Sequence, residues 1–314
     1  MLHFRGPRTA LILLSVLAFG AARPALADNL ETMLGGVDEA YARAYLAPFT
    51  YTLGPNLNSG VYQTAAIPMS GVTVDFGIKV MATHLAAEDQ TFQSVIENVD
   101  LGDYDPAYAG QTGNIVMSGP TVFGNTKTPG TIAGYVGGVQ VFSQNTIEGL
   151  VDTRYAPIAV PQASVGGISG LRATVRWLPE IDLGDWGTGK LFGWGVQWSV
   201  NSAANTLPID VMVGFFRQWL DVGTLVASDA NSMFVAASKS WSMVTLYGGY
   251  GRENSEVSLA YADVASGENV AFTVNDTQER RLTVGVTIDV LARLNVEMAH
   301  GDLTTYTAGL MFGF

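Results

Sequence analysis

Two histidines, His84 and His300, are the only imidazoles beyond the first 27 residues, and the chain has no cysteine. That inventory removes thiol and disulfide chemistry and a histidine-rich metal site. No G-x-S-x-G occurs, and neither histidine has the spacing of a catalytic triad, so an enzyme is not expected. The acidic run D-L-G-D-Y-D at 100–105 could offer carboxylate oxygens to Ca²⁺. Its spacing does not match an EF-hand loop, and it reads instead as a solvated acidic segment. No metal and no cofactor is expected. A further group of charges recurs on the small, polar side of otherwise apolar alternating stretches: Asp75, Lys79, Arg172, Arg176, Asp210, Arg281, Asp289, Arg293 and Glu297. In such a setting their chemistry is mutual pairing, because an unpartnered charge in a narrow, poorly hydrated space is costly.

The elements that position these charges are strands. In 72–83, Val72, Val74, Phe76, Ile78, Val80 and Ala82 share one face. In 191–201, Phe192, Trp194, Val196 and Trp198 oppose Gly193, Gly195, Gln197 and Ser199. Residues 281–291, 292–300 and 304–314 repeat the pattern, and weaker versions occupy 157–166, 171–178, 209–219, 230–240, 243–251 and 254–262. Each has the length of a tilted strand crossing an apolar layer. The Gly-rich stretch 131–142 supplies a twelfth candidate, and since barrels of this kind use even numbers the expectation is about 12 strands, within 10–14.

Arg5 and Arg8 precede an uncharged run, and Ala25-Leu26-Ala27 offers an A-x-A cleavage position, so residues 1–27 are expected to be a signal peptide. Charged residues are 14% of the chain, against about 25% in ordinary globular proteins, and 36 residues are glycine. Beyond the leader no apolar run has the length of a membrane-crossing helix. An apolar chain of this kind can sit in a bilayer if its strands alternate and close. The 16 Lys and Arg become 13 once three leader arginines are set aside, against 28 Asp and Glu, so the mature charge is −15. Nucleic acid is therefore excluded as a partner.

The final stretch T-T-Y-T-A-G-L-M-F-G-F alternates to a terminal Phe314 and resembles the closing strand of a bacterial outer-membrane β-barrel. The fold expected is all-β, a transmembrane antiparallel barrel over 71–314 in the outer membrane of a Gram-negative bacterium. Counting strand directions back from Phe314 places Trp177, Trp194 and Trp219 toward the periplasmic ends, an aromatic girdle with Phe314. The listed charges then face the lumen. Residues 28–70 are expected to hold an N-terminal helix and a plug or cap: Leu30, Met33, Leu34, Val37, Tyr41 and Tyr45 fall at helical spacing until Pro48 stops the pattern. Residues 84–130, with Glu88, Asp89, Glu97, Asp100, Asp103 and Asp105, read as a long acidic extracellular loop.

A-R-A-Y-L-A-P-F at 42–49, L-N-S-G-V-Y-Q-T-A at 57–65, V-P-Q-A-S-V-G at 160–166, L-R-A-T-V-R-W-L-P at 171–179, L-F-G-W-G-V-Q-W-S-V at 191–200 and L-P-I-D-V at 207–211 together resemble an uncharacterised family of bacterial outer-membrane proteins. More remotely the chain is similar to the long-chain fatty-acid and aromatic-hydrocarbon transporters, whose barrels carry an N-terminal hatch. That resemblance implies passive uptake of a small hydrophobic ligand. The alternative is a structural or surface-interaction barrel that meets a partner through its acidic loop. The partners expected are outer-membrane lipid, lipopolysaccharide and, through the C-terminal strand, the barrel-assembly machinery.

Overall fold

The computed structural model describes residues 39–182, 188–200, 208–262 and 269–313. The expectations for the leader, for Leu30, Met33, Leu34 and Val37, and for Phe314 fall outside these residues.

The chain begins with helix α1 (Glu39–Leu57) and strand β1 (Thr73–His84). Four shorter strands follow: β2 (Thr91–Asp100), β3 (Thr112–Pro120), β4 (Thr131–Val136) and β5 (Val139–Asn145). Nine more complete the wall: β6 (Tyr155–Ile168), β7 (Leu171–Asp182), β8 (Thr188–Ser199), β9 (Asp210–Val222), β10 (Val226–Trp241), β11 (Val244–Ala262), β12 (Asn269–Asp289), β13 (Arg293–His300) and β14 (Thr304–Gly313). Strands β6 to β14 pair in order with their neighbours, and β1 closes the cylinder by pairing with both β14 (Asp75 opposite Gly313) and β6 (Thr73 opposite Gly166). The result is a closed, antiparallel, ten-stranded barrel with all neighbouring strands bonded through their backbones.

Ten replaces the favoured twelve for two physical reasons. The stretches 243–251 and 254–262 form one continuous β11, 19 residues long, so two candidates merge. Residues 131–142 do not enter the wall at all. Gly137 and Gly138 both take positive φ (57° and 85°), which folds the segment into the tight β4–β5 hairpin, with arms too short to cross a bilayer. Those arms join β2 and β3 in a separate four-stranded sheet, β2-β3-β4-β5.

That sheet corrects the reading of 84–130 as a plain acidic loop. Asp100 accepts from the N–H groups of Gly102 (2.8 Å) and Gly110 (2.9 Å), and Asp105 from that of Ala107 (3.0 Å). Two carboxylates of the D-L-G-D-Y-D run therefore hold turns in a folded unit. Leu101, Ile115 and Met117 beneath them are fully buried.

The sheet stands at one end of the barrel. The other end carries compact turns: Ser169 and Gly170 both have positive φ, and Ser242 likewise turns β10 into β11. Short turns mark the periplasmic side of outer-membrane barrels and longer connections the cell surface, which orients the molecule. The wall confirms membrane residence. In β8 burial alternates strictly, with Phe192, Trp194, Val196 and Trp198 exposed outward. Neighbouring strands continue that belt through Leu282, Val284 and Val286 on β12 and Leu310 and Phe312 on β14. A closed cylinder with such a belt belongs in the bilayer, because closure leaves no strand edge without hydrogen bonds in hydrocarbon.

Helix α1 does not stop at Pro48 but runs through it and through Pro55 to Leu57. Proline weakens a helix by removing one hydrogen bond. Here the helix is buried on nearly all sides, including at Tyr41, Leu46, Phe49, Leu53 and Leu57, and packing outweighs that local cost.

Candidate functional site in the barrel lumen

Residues 58–67 continue from α1 as irregular backbone inside the barrel. No strand pairs with them, so each backbone polar group at this depth needs a side chain from the wall. The lumen charges supply that need.

Arg176 on β7 is fully buried and reaches four acceptors, one of them Gln218 Oε1, which accepts from Nη1 at 3.4 Å. Its Nη1 donates to the Leu57 carbonyl at 2.7 Å, its Nη2 to the Ser59 carbonyl at 2.6 Å, and its Nε to Gln162 Oε1 at 2.9 Å. Gln218 donates to the same Leu57 carbonyl. Arg281 on β12 donates to the Pro55 carbonyl (3.1 Å) and to Ser59 Oγ, while its Nε lies 2.7 Å from Glu253 Oε1 on β11. Two guanidinium groups thus sit at the C-terminal end of α1, where orphan carbonyls and the helix dipole favour positive charge.

Below the helix the same arrangement continues. Arg172 donates to the carbonyls of Thr64 (3.1 Å) and Ala66 (2.7 Å), Gln162 to that of Val61 (3.3 Å), and Thr287 to that of Gln63 (2.8 Å). Lys79 Nζ donates to Asn295 Oδ1 (2.7 Å) and to Gln63 Oε1 (3.4 Å). Inward Gly309 makes room for that lysine, since a Cβ there would lie 2.7 Å from Lys79 Cδ. Glu297 accepts from the Gly60 N–H (2.9 Å) and the Tyr247 hydroxyl (2.9 Å). Gly60 has a φ of +69°, and a Cβ there would stand 2.8 Å from Thr307, so conformation and space both call for glycine. Tyr62 stacks on Phe234 with centroids 4.7 Å apart, beside Met212 and Phe216.

Mutual pairing across the bore is therefore only part of the arrangement. Arg281 meets Glu253, and at the periplasmic rim Arg293 meets Asp75 and, at 3.0 Å, Asp289. Arg172 and Arg176 donate to backbone carbonyls that no strand satisfies, and Lys79 donates to the side-chain amides of Asn295 and Gln63. Asp210 is half-buried at the periplasmic start of β9, opposite Ser238, whose hydroxyl accepts from the Ala65 N–H at 3.0 Å.

Sequence reasoning missed Glu253. Alternation alone reads its strand as two stretches, 243–251 and 254–262, and beside Glu253 two residues of β11 face three of β12, Gly251 aligning with Arg281 and Glu253 with Gln278. Such a bulge switches the inward parity of β12. Gln162, Gln197, Gln218 and Asn295 were also passed over as uncharged polar residues.

A family model described as a family of unknown function (DUF6588) matches residues 7–314. The chain belongs to that family. No curated protein matches it. Among solved structures, this family member is similar to the outer-membrane protease OmpT of Escherichia coli, at 10% identity and TM-score 0.28, over 79% of this chain and 98% of that one. It is also similar to a loop-deletion mutant of the outer-membrane protein OmpT of Vibrio cholerae, at 12% identity and TM-score 0.27, over 77% and 99%. The toluene transporter TbuX of Ralstonia pickettii matches at 8% identity and TM-score 0.22, over 78% and 88%.

Outside the lumen, the aromatic belt corrects the direction count for tryptophan. Trp177 pairs with Phe192, and Phe192 with Trp219, whose rings stack 6.2 Å apart. Trp219 lies near the cell-surface end of β9, which runs upward, so this trio marks the outer boundary of the bilayer. Trp194 sits lower, opposite Val175, and Trp198 and Trp241 lie at the periplasmic ends of their strands. His84 packs edge-on against Tyr155 (5.2 Å), and His300 Nδ1 is 2.9 Å from Thr304 Oγ1. Both stand at the cell-surface ends of their strands, apart from the lumen cluster.

Proposed function

We propose that this protein is a gated passage in the outer membrane for passive uptake of small hydrophobic solutes, with residues 39–67 as its plug. The observation that carries this reading is that the ten-stranded wall closes on its own backbone bonds, while α1 and residues 58–67 lie inside it without pairing to any of its strands. Moving that segment leaves a cylinder. The upper part of the bore is lined by Leu191, Leu220, Val222, Leu259 and Tyr261, surfaces that an apolar solute enters more readily than an ion. The reading is non-enzymatic and needs no cofactor. Lipid and lipopolysaccharide contact the outer belt, and the assembly machinery receives the C-terminal strand.

The second reading, a surface-interaction barrel, is favoured by the folded β2–β5 sheet above the mouth, where Glu97 and Asp103 are exposed. Uptake of labelled fatty acids and small aromatics by cells with and without the protein separates the two. Loss of hydrophobic uptake on deletion supports the passage. Equal uptake, with heat-modifiable gel mobility showing a folded barrel, supports the surface role.

A further inference from the structure

Helix α1 enters the lumen at the cell-surface mouth. Near its start, Tyr41 lies edge-on to Phe92 of the outer sheet at 4.9 Å, and its hydroxyl accepts from Thr146 Oγ1 at 2.6 Å. Arg43 covers the ring of Phe272, 4.1 Å from its centroid, on the part of β12 that rises above the lipid belt. The other end of the lumen segment emerges on the periplasmic side. There the Met69 carbonyl accepts from the Ser169 N–H in the β6–β7 turn, and Val72 is 62% exposed.

A helix of 19 residues spans about 28 Å, and the irregular stretch 58–67 lengthens that path by less than the ~30 Å it would reach if extended, enough to traverse the barrel. The direction of travel is from the cell surface inward. Strand β1 then climbs back from Thr73 to His84, so 39–84 forms a hairpin with its bend in the periplasm and both arms reaching the surface.

We infer that this barrel carries the start of helix α1 across the outer membrane, so that Glu39 reaches the cell surface from the periplasm by way of the lumen. Proteins reach the outer membrane from the periplasmic side, and Glu39 and Arg43 are charged. A direct path through hydrocarbon would oppose such charges. The lumen offers polar walls instead. The hairpin geometry lets α1 and β1 move up together before β14 seals against β1. The beginning of α1 then becomes part of the exterior face beside the β2–β5 sheet. This is a self-presentation role, independent of whether solutes pass.

The natural absence of cysteine makes the test clean. Glu39→Cys, Glu97→Cys and Val72→Cys are expressed singly and treated in intact cells with a membrane-impermeant maleimide, then again after permeabilising the outer membrane. The Glu39 side chain is 49% exposed and open to the reagent. The inference predicts an intact-to-permeabilised labelling ratio near one for Glu39→Cys and Glu97→Cys and near zero for Val72→Cys. Labelling at Glu97→Cys with Glu39→Cys protected until permeabilisation would overturn it, as would reversal of the whole pattern. Heat-modifiable mobility verifies folding of each variant, and Arg43→Cys replaces Glu39→Cys if that one fails to fold.

Discussion

Below the level of Trp177 and Trp219 the barrel is apolar outside and polar inside, whereas above it the polarity inverts. The lower wall shows Val196, Val284 and Leu310 to lipid and aims Lys79, Arg172 and Arg176 inward. The upper wall carries the ion pair Lys190–Asp221 (3.3 Å) on its outer face, with Arg217–Asp229 (2.6 Å) at the boundary beside Trp219, and buries Leu220, Val257 and Leu259 against α1. One set of strands thus obeys two solvents. In lipid, the outside is hydrophobic and the interior must satisfy every polar group; in water, the same strands build an ordinary hydrophobic core around a helix. The lumen segment follows the same division, helical and packed above, irregular and hydrogen-bonded below.

The largest expected effect lies where the two regimes meet, at the buried Arg281–Glu253 pair. Glu253→Ala leaves a guanidinium without its carboxylate and should lower unfolding stability by about 3–5 kcal/mol. The double variant Glu253→Leu with Arg281→Met should recover much of that loss in urea titrations of the vesicle-inserted protein. A double variant as damaged as the single one would show that Arg281 acts chiefly through Pro55 and Ser59.

Next in size is a direct probe of the inversion. Val284→Arg places a charge in the lipid belt and should cost about 2–4 kcal/mol. Glu256→Arg, exposed on the outer face of β11 above that belt, should stay within about 0.5 kcal/mol in the same titration. Equal penalties at the two positions would move the bilayer boundary and dissolve the comparison.

The smallest effect concerns alkaline pH. Burial raises the Tyr41 and Tyr45 phenols above the ordinary tyrosine range near pH 10. A raised folded pKa gives stability that is complete below pH 10 and declines above it, as the unfolded chain releases phenolic protons first. Each tyrosine should cost at most about 1.4 kcal/mol per pH unit beyond that point. Tyr45→Phe should make the alkaline decline in near-ultraviolet circular dichroism shallower, and an unchanged profile would assign the decline elsewhere.

Much of the barrel was legible because lipid imposes a strict two-residue period, as in β8 and β14. The upper extensions were harder to read. Above the membrane the apolar face turns inward and the outer face becomes polar, so β11 reads as two strands with opposite meanings. The accessory sheet hid behind its own acids, since a carboxylate that caps a turn looks in sequence like one facing water. Within the lumen the arginines were visible from alternation, but their acceptors were not, because a backbone carbonyl leaves no trace in side-chain patterning. The segments around Ser59, Gln162, Arg172 and Gln197, which carry the family likeness, are brought together around one stretch of plug.

The most direct test of the central claim, that residues 39–67 seal the bore through wall side chains bonded to their carbonyls, is single-channel conductance in planar bilayers. The intact protein should be silent, and Arg172→Ala combined with Arg176→Ala should produce discrete openings while gel mobility still reports a folded barrel. A folded double variant as silent as the parent would contradict the claim that these side chains hold the seal.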